Sequence, residues 1–159
     1  MIDSKGLRAN VGIILANSEG RLFWGRRAGN MDIWQFPQGG IVRQETPEQA
    51  MYRELKEEVG LLPEQVQLIA VSKHWLSYYL PAHLRRYARR PFCIGQKQKW
   101  FLLKLVASDL AIHFDQTPSP EFSSWCWVDY WYPLNHVIAF KKQVYRKVLE
   151  EFSSLLHSP

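Results

Sequence analysis

Short apolar runs separated by turn residues make up most of this chain. Residues 7–15 (LRANVGIIL) and 21–24 (RLFW) flank NSEG at 17–20, a sequence typical of a turn, and together they predict a β-hairpin. The stretch 82–98 is polar and basic and predicts a long, mobile loop. Apolar or alternating runs predict four more strands, at 66–72, 74–80, 100–106 and 125–128.

Two segments carry a helical pattern. The first begins at Thr46, a suitable N-cap residue, with Pro47 at the first helical position and Gln49 in place for a capping box. It ends at Gly60, because glycine readily adopts the left-handed conformation that closes many helices. The second helix is predicted at roughly 141–156. Its apolar stripe consists of Val144, Val148, Leu149, Phe152 and Leu155.

The composition predicts a single globular domain covering 1–159. Apolar residues make up 47% of the 159 positions and aromatic residues 14%, which provides a sizeable core. No apolar run is long enough to span a membrane, and the first residues lack the apolar core of a signal peptide. Cys93 and Cys126 have no metal-ligand spacing. We therefore expect free thiols and a cytoplasmic location.

The charges are unevenly distributed along the chain. The net charge is +5, and no Asp or Glu occurs between Gln65 and Ser108. The acidic residues are instead concentrated around the predicted helix at 46–60. A basic surface beside an acidic site suits a polyanionic substrate, although a basic surface can also serve solubility alone.

Three glutamates share one face of the predicted helix. At roughly 100° per residue, Glu54, Glu57 and Glu58 lie at about 0°, 300° and 40°. Their charges repel one another, and they lie toward the C-terminal end, where the helix dipole disfavours anions. A solvated face tolerates such a cluster, but a hard cation would remove the repulsion, since Mg²⁺ and Mn²⁺ prefer oxygen ligands.

The spacing around these glutamates resembles the Nudix box. Gly39, five residues, Glu45, seven residues and then RELKEEVGL at 53–61 match each defining position, although Arg43-Gln44 replaces the Pro-Gly common in relatives. The resemblance implies an α/β/α sandwich with a mixed sheet and a loop–helix–loop. It also implies hydrolysis of a nucleoside diphosphate linked to another group, with Mg²⁺ or Mn²⁺.

The same resemblance assigns roles to the residues of the motif. It implies metal binding by Glu54, Glu57 and Glu58 together with Gly39. Catalysis would involve Glu54 and Glu57, and Arg53 would form a structural ion pair with Glu45. Gly60 has a structural role at the end of the motif.

Segments outside the box narrow the resemblance to one Nudix subgroup. WQFPQGG at 34–40, PFCIGQKQKWFLLKL at 91–105 and TPSPEF at 117–122 are similar to the subgroup of bacterial RNA pyrophosphohydrolases and diadenosine polyphosphate hydrolases. Glu121 would then be a further catalytic or metal-binding residue, although alone it is an ordinary loop glutamate. The implied substrate is 5′-triphosphorylated RNA. Its predicted contacts are Arg8, Arg27, Tyr78, Gln96, Phe140 and Lys141.

Several alternatives stay open at the level of the sequence. The general base is Glu57 or Glu121, and Tyr78 and Phe140 suit core packing as well as substrate binding. Dinucleoside polyphosphates are the rival substrates, and a non-catalytic RNA-binding module is a second alternative. The oligomeric state is not determined, with a monomer as the default expectation.

Overall fold

A mixed β-sheet forms the centre of the protein. The computed structural model describes residues 2–29, 31–85 and 92–156. The main strand order is β3-β2-β1-β7-β5, with β4 paired to β1, β6 to β7 and β8 to β2. The strands are β1 (Leu7–Ala16), β2 (Leu22–Arg27), β3 (Trp34–Gln35), β4 (Gln38–Gly40), β5 (Val66–Val71), β6 (Leu76–Tyr79), β7 (Gly95–Leu105) and β8 (Phe122–Val128).

The two central strands, β1 and β7, run parallel to each other. Their register extends from Leu7 opposite Gly95 to Ala16 opposite Lys104. Both faces of the second half of β1 are buried, which explains its continuous apolar sequence. The antiparallel strands β2 and β8 extend the sheet on one side, and β5 and β6 extend it on the other.

Helices cover both faces of the sheet. On one face, helix α3 (Lys142–Leu156) packs with Trp100 and Phe36, while the short α2 (Tyr132–His136) precedes it. On the other face, helix α1 (Pro47–Glu54) packs with Phe101. This is the α/β/α sandwich that the resemblance to the Nudix family implies. No helix in the described ranges is long and apolar enough to cross a bilayer.

Helix α1 begins as its sequence predicts and ends differently. The Thr46 hydroxyl accepts a hydrogen bond from the backbone of Gln49, and the Gln49 side chain closes the capping box. From Leu55 to Val59 the helix continues as a π-helix, where we expected α-helix. Gly60 closes it in the left-handed region, with φ of 79°. Such π segments often occur at functional sites.

The prediction for 82–98 is wrong at its C-terminal end. Strand β7 begins at Gly95, not near Trp100, because pairing with β1 holds the polar GQKQK segment in the sheet. A short 3₁₀ turn, Ala82–Leu84, occupies the start of the predicted loop, and residues 86–91 lie outside the described ranges. In α3, Leu155 is exposed where a buried position was predicted, and Tyr145 is buried instead.

Candidate active site

A cavity of about 270 Å³ opens beside the start of the Nudix-like motif. Amide groups and one ammonium group form part of its lining, and an arginine–glutamate pair forms another part. The polar lining residues are Asn10, Arg27, Gln35, Gln38, Glu121 and Lys141. The cavity therefore offers both donors and acceptors to a ligand.

Lys141 is held in the cavity by two glutamines. Its ammonium group donates hydrogen bonds to Oε1 of Gln35 at 3.1 Å and to Oε1 of Gln38 at 3.0 Å. It also lies 5.7 Å from the centre of the Tyr78 ring. Burial lowers the pKa of Lys141 to about 8, with nearby Arg27 acting in the same direction. The cavity thus contains a cation that gives up its proton more easily than a solvated lysine.

Arg27 and Glu121 form an ion pair at the mouth of the cavity. Nε of Arg27 lies 3.3 Å from Oε1 of Glu121. The backbone N–H of Ala28 also donates to the carbonyl of Glu121 at 2.8 Å. Strand β2 therefore fixes the position of Glu121, which directly precedes β8. Both side chains remain more than one third exposed and are accessible to a ligand.

Two buried glutamates adjoin this cavity. Glu54 and Glu58 are each 8% exposed, and the charge of Glu54 acts on Glu58. Burial raises the pKa of Glu58 well above its ordinary value, and the charges of Glu54 and Glu121 act in the same direction. Burial also raises the pKa of Glu54, against the influence of Arg53. In this arrangement the carboxyls are less acidic than solvated ones.

Arg53 connects the loop before α1 to the acidic cluster. Its Nε and Nη2 donate to both oxygens of Glu45, at 2.8 and 3.0 Å, and Nη2 also donates to the carbonyl of Gly40 at 2.7 Å. Nη1 donates to Glu54 at 2.7 Å and to the exposed Glu57 at 3.3 Å. The predicted ion pair with Glu45 is therefore present, and the pKa of Glu45 is lowered mainly by this hydrogen bonding.

Gly39 lies directly against Glu54. It pairs with Val11 across β4 and β1, and a Cβ atom at this position would overlap the Glu54 carboxylate. Any larger residue would push the carboxylate out of the cluster. The glycine is required here by close approach, since its φ is not in the left-handed region.

The predicted metal ligands do not form a ready cage. Within 2–29, 31–85 and 92–156, no three His, Cys, Asp or Glu side chains are grouped so as to hold a metal ion. The Arg53 guanidinium instead bonds to Glu54 and Glu57. Nevertheless, Oε2 of Glu58 is buried without a hydrogen-bond partner, and the oxygen-rich cluster carries mutual repulsion. These features fit a hard divalent cation.

The predicted substrate contacts are mostly gathered around the cavity. Arg27, Tyr78, Phe140 and Lys141 line it. Gln96 lies opposite Tyr78 in the sheet, and its Oε1 is buried without a partner. Tyr78 and Phe140 pack with their rings 5.7 Å apart, so each combines core packing with exposure to the cavity.

Arg8 is not among the residues that line the cavity. It is exposed on β1, opposite Gln96 in the parallel register. Its side chain passes close to Gly40 at the edge of the motif. Arg8 is therefore placed to contact a ligand that extends out of the cavity.

Sequence reasoning missed the amide residues of the site. Gln35 and Gln38 hold Lys141, and Asn10 accepts a hydrogen bond from Gln98 at 2.8 Å in the same buried region. A usable signal was present, because Asn10 interrupts an apolar strand and the two glutamines flank a buried Phe-Pro pair. Buried amides need partners, and polar residues at such positions often mark a site.

The comparisons with known proteins agree with this geometry. A family model described as NUDIX domain matches residues 6–152. The chain is 56% identical over 156 residues to the RNA pyrophosphohydrolase of Haemophilus influenzae (strain PittEE), covering 98% of this chain and 79% of that one. It is 58% identical to the RNA pyrophosphohydrolase of Pseudoalteromonas translucida, covering 96% and 88% respectively. The chain belongs to the Nudix family, as the sequence predicts.

Solved structures confirm the fold. The E. coli dihydroneopterin triphosphate pyrophosphohydrolase superposes with a TM-score of 0.69 at 22% identity, covering 91% of this chain and 98% of that one. A C. elegans Ap4A hydrolase in a binary complex superposes with a TM-score of 0.66 at 18% identity, covering 93% of this chain and 99% of that one. At these identities the likeness concerns the arrangement of strands and helices alone.

Proposed function

We propose that this protein is an RNA 5′-pyrophosphohydrolase, which uses water to convert a 5′-triphosphate end to a 5′-monophosphate, releasing pyrophosphate or, stepwise, two phosphates, and thereby starts RNA decay. The observation that carries the proposal is the cavity lined by Lys141, Arg27 and Glu121, with the buried Glu54 packed against its lining residue Gly39 and the charge of Glu58 acting on Lys141. Cationic donors suit the terminal phosphates, and the carboxylates suit divalent cations. The similarity to relatives named RNA pyrophosphohydrolase supports the same substrate.

In this proposal Glu54, Glu57, Glu58 and Glu121 hold divalent ions, together with the backbone of Gly39. We expect Mg²⁺ or Mn²⁺, which when bound supplies charge neutralisation and an activated water. Arg53 orients Glu54, because their hydrogen bond of 2.7 Å fixes one side of the cluster. Glu57 and Glu121 are the candidate bases, since both are partly exposed and can reach a water in the cleft.

The remaining residues position the RNA end. Lys141 donates to a phosphate from the cavity floor, where its pose is already fixed by Gln35 and Gln38. Arg27 has a planar donor group that suits a phosphate or the face of a base. Phe140 offers a partly exposed ring, while Tyr78 contributes its hydroxyl rather than its buried ring face.

Arg8 and Gln96 complete the proposed contacts. Arg8 meets phosphates outside the cavity, and the unpartnered Oε1 of Gln96 accepts a hydrogen bond from the ligand. We further propose that the protein acts as a monomer formed by one domain, 1–159, in the cytoplasm, where RNA with new 5′ ends is present. The oligomeric state and the location do not alter the chemistry proposed for the site.

Dinucleoside polyphosphates are the competing substrates, because they also present a nucleoside joined to a chain of phosphates. Specificity constants measured with triphosphorylated RNA and with diadenosine tetraphosphate, under the same Mg²⁺ concentration, separate the two activities. We expect the specificity constant for triphosphorylated RNA to exceed that for diadenosine tetraphosphate by about tenfold or more. A tenfold ratio corresponds to about 1.4 kcal/mol of transition-state stabilisation. A higher value for diadenosine tetraphosphate would contradict the proposal.

A further inference from the structure

Two strands next to the catalytic cavity carry aromatic and basic side chains on their opposite face. Tyr78 of β6 points into the cavity, whereas Tyr79 is 53% exposed and Trp75, just before the strand, is 41% exposed. Lys97 and Lys99 of β7 lie beside Trp75, each with Nζ 5.8 Å from its ring centre. We call Trp75, Tyr79, Lys97 and Lys99 the Trp75 surface.

The alternation of the strands separates this surface from the cavity. Leu76 and Tyr78 pack toward α3, so Ser77 and the flanking aromatic residues point to the other side of the sheet. Ser77 is paired with Lys97, so the side chains of Lys97 and Lys99 point to the same face of the sheet as Ser77. Trp75 and Tyr79 are four residues apart and therefore about 13 Å apart along the strand. One face of β6 therefore lines the cavity, and the opposite face carries the Trp75 surface.

The two lysines have different local partners. Lys97 forms an ion pair with Asp3, with Nζ to Oδ2 at 3.0 Å. Lys99 donates to the backbone carbonyl of Lys73 at 3.2 Å. Because that partner is neutral, the charge of Lys99 is not balanced by this hydrogen bond.

The charge of this region favours a polyanionic partner over a neutral or basic one. No Asp or Glu occurs from Gln65 to Ser108, the span that supplies both strands. An exposed aromatic ring flanked by cations is the arrangement that binds single-stranded RNA, since the ring stacks on a base while the cations meet phosphates.

We propose that the Trp75 surface binds the single-stranded body of the RNA downstream of the nucleotides held in the cavity. This inference rests on the proposed function, because it takes the polymer entering the cavity to be RNA. The 5′ end occupies the cavity, and the chain passes around β6 so that later bases stack on Trp75. The Trp75 surface then contributes to affinity for long RNA and contributes nothing to a dinucleotide.

The test compares two triphosphorylated substrates in three proteins. The substrates are an unstructured RNA of about 20 nucleotides and a dinucleotide, and the proteins are the wild type, Trp75→Ala and the control Trp131→Ala. Trp131 is 43% exposed, which matches Trp75, but it precedes α2. We expect Trp75→Ala to raise KM for the long RNA by about fivefold or more, with kcat unchanged and the dinucleotide unaffected.

A second variant tests the electrostatic part. Lys99→Gln should lower the salt dependence of long-RNA binding, with the slope of log K against log salt reduced by about 0.7. An unchanged slope would remove Lys99 from the proposed contact. An equal rise of KM on both substrates in Trp75→Ala would also contradict the proposal, because a general structural effect would explain it.

Binding of the same RNA with a 5′-hydroxyl end separates this inference from the proposed function. Its Kd, measured by fluorescence anisotropy, should increase in Trp75→Ala and stay unchanged in Trp131→Ala. If the wild type binds in this way but releases neither pyrophosphate nor phosphate from triphosphorylated RNA, the proposed function fails and the Trp75 surface stands. Equal affinity in all three proteins would overturn the Trp75 surface whatever the activity. Self-association lost in Trp75→Ala, with RNA binding unchanged, would instead assign the face to a second copy of this chain.

Discussion

The ammonium group of Lys141 lies 3.0 Å from the amide oxygen of Gln38, in a hydrogen bond that joins residues 103 positions apart. The amide nitrogen of Gln38 donates in turn to the Tyr78 hydroxyl at 3.1 Å, and the next residue, Gly39, lies directly against the Glu54 carboxylate. Gln38 therefore lies between the cation of the cavity and the acidic cluster. The arrangement predicts that Gln38 matters for function although it need not touch the reacting atoms.

Replacing Gln38 by Leu tests this link. Lys141 would lose one of its two acceptors, so we expect kcat/KM on triphosphorylated RNA to fall by about tenfold, in line with about 1.5 kcal/mol for a hydrogen bond to a charged group. Steady-state kinetics provide the measurement. Gln67→Leu, at an exposed position of β5, is the matched control and should have no effect. Equal activity of Gln38→Leu and the wild type would show that the link has no functional role.

The lowered pKa of Lys141 predicts a pH dependence of substrate binding. Burial brings this pKa to about 8, so the side chain is charged below pH 8 and loses its charge as the pH rises through that value. KM for triphosphorylated RNA should therefore increase above pH 8. In Lys141→Arg the guanidinium stays charged, and this increase should disappear. The same alkaline increase in both proteins would assign it to another group.

Arg53 should contribute to stability through its bonds to Glu45 and Gly40. Lys cannot reproduce the bidentate contact, so we expect Arg53→Lys to lower the free energy of unfolding by about 1–3 kcal/mol. Urea denaturation measures this change. Arg21→Lys is the control, since the Arg21–Asp129 pair is long, at 3.4 Å, and both side chains are largely exposed. Similar losses in both variants would contradict a special role of Arg53.

The raised pKa of Glu58 predicts how metal-free protein responds to pH. The folded state binds a proton more tightly than the unfolded state, whose value is near 4.5. The free energy of unfolding should therefore fall as pH rises above about 4.5, until the raised pKa is passed. Glu58→Gln should weaken this dependence, whereas Glu64→Gln, at an exposed position, should leave it unchanged. Thermal melts in EDTA from pH 4 to pH 8 give the comparison.

Manganese should reverse this loss of stability in the wild type. A ligand at about 100 times its Kd adds about 2.7 kcal/mol to the folded state. We expect a clear rise of Tm on adding Mn²⁺ at pH 7.5, and a much smaller rise in Glu58→Gln. Equal rises in the two proteins would place the metal away from Glu58.

Local sequence chemistry determined the elements that were predicted well. The Thr46 capping box and the left-handed Gly60 depend on neighbouring residues, so both ends of the motif could be located in advance. The ion pair between Arg53 and Glu45 likewise joins residues eight positions apart within one motif. In these cases the relevant partners lie close together in the chain.

The features that were missed depend on distant partners. Strand β7 begins at Gly95 because β1 pairs with it, and nothing within the polar GQKQK segment indicates this. The position of Lys141 depends on Gln35 and Gln38, more than 100 residues earlier. The π-helix at Leu55–Val59 has no local signal that we recognise.

The most direct test of the central claim is the conversion of triphosphorylated RNA ends to monophosphorylated ends, with divalent ions removed and then restored. We expect conversion by the wild type to stop in EDTA and to return with Mg²⁺ or Mn²⁺, and Glu58→Gln to lose about 100-fold or more in kcat. Conversion that continues unchanged in EDTA, or a Glu58→Gln variant as active as the wild type, would contradict the assignment of the buried glutamates to metal-dependent hydrolysis.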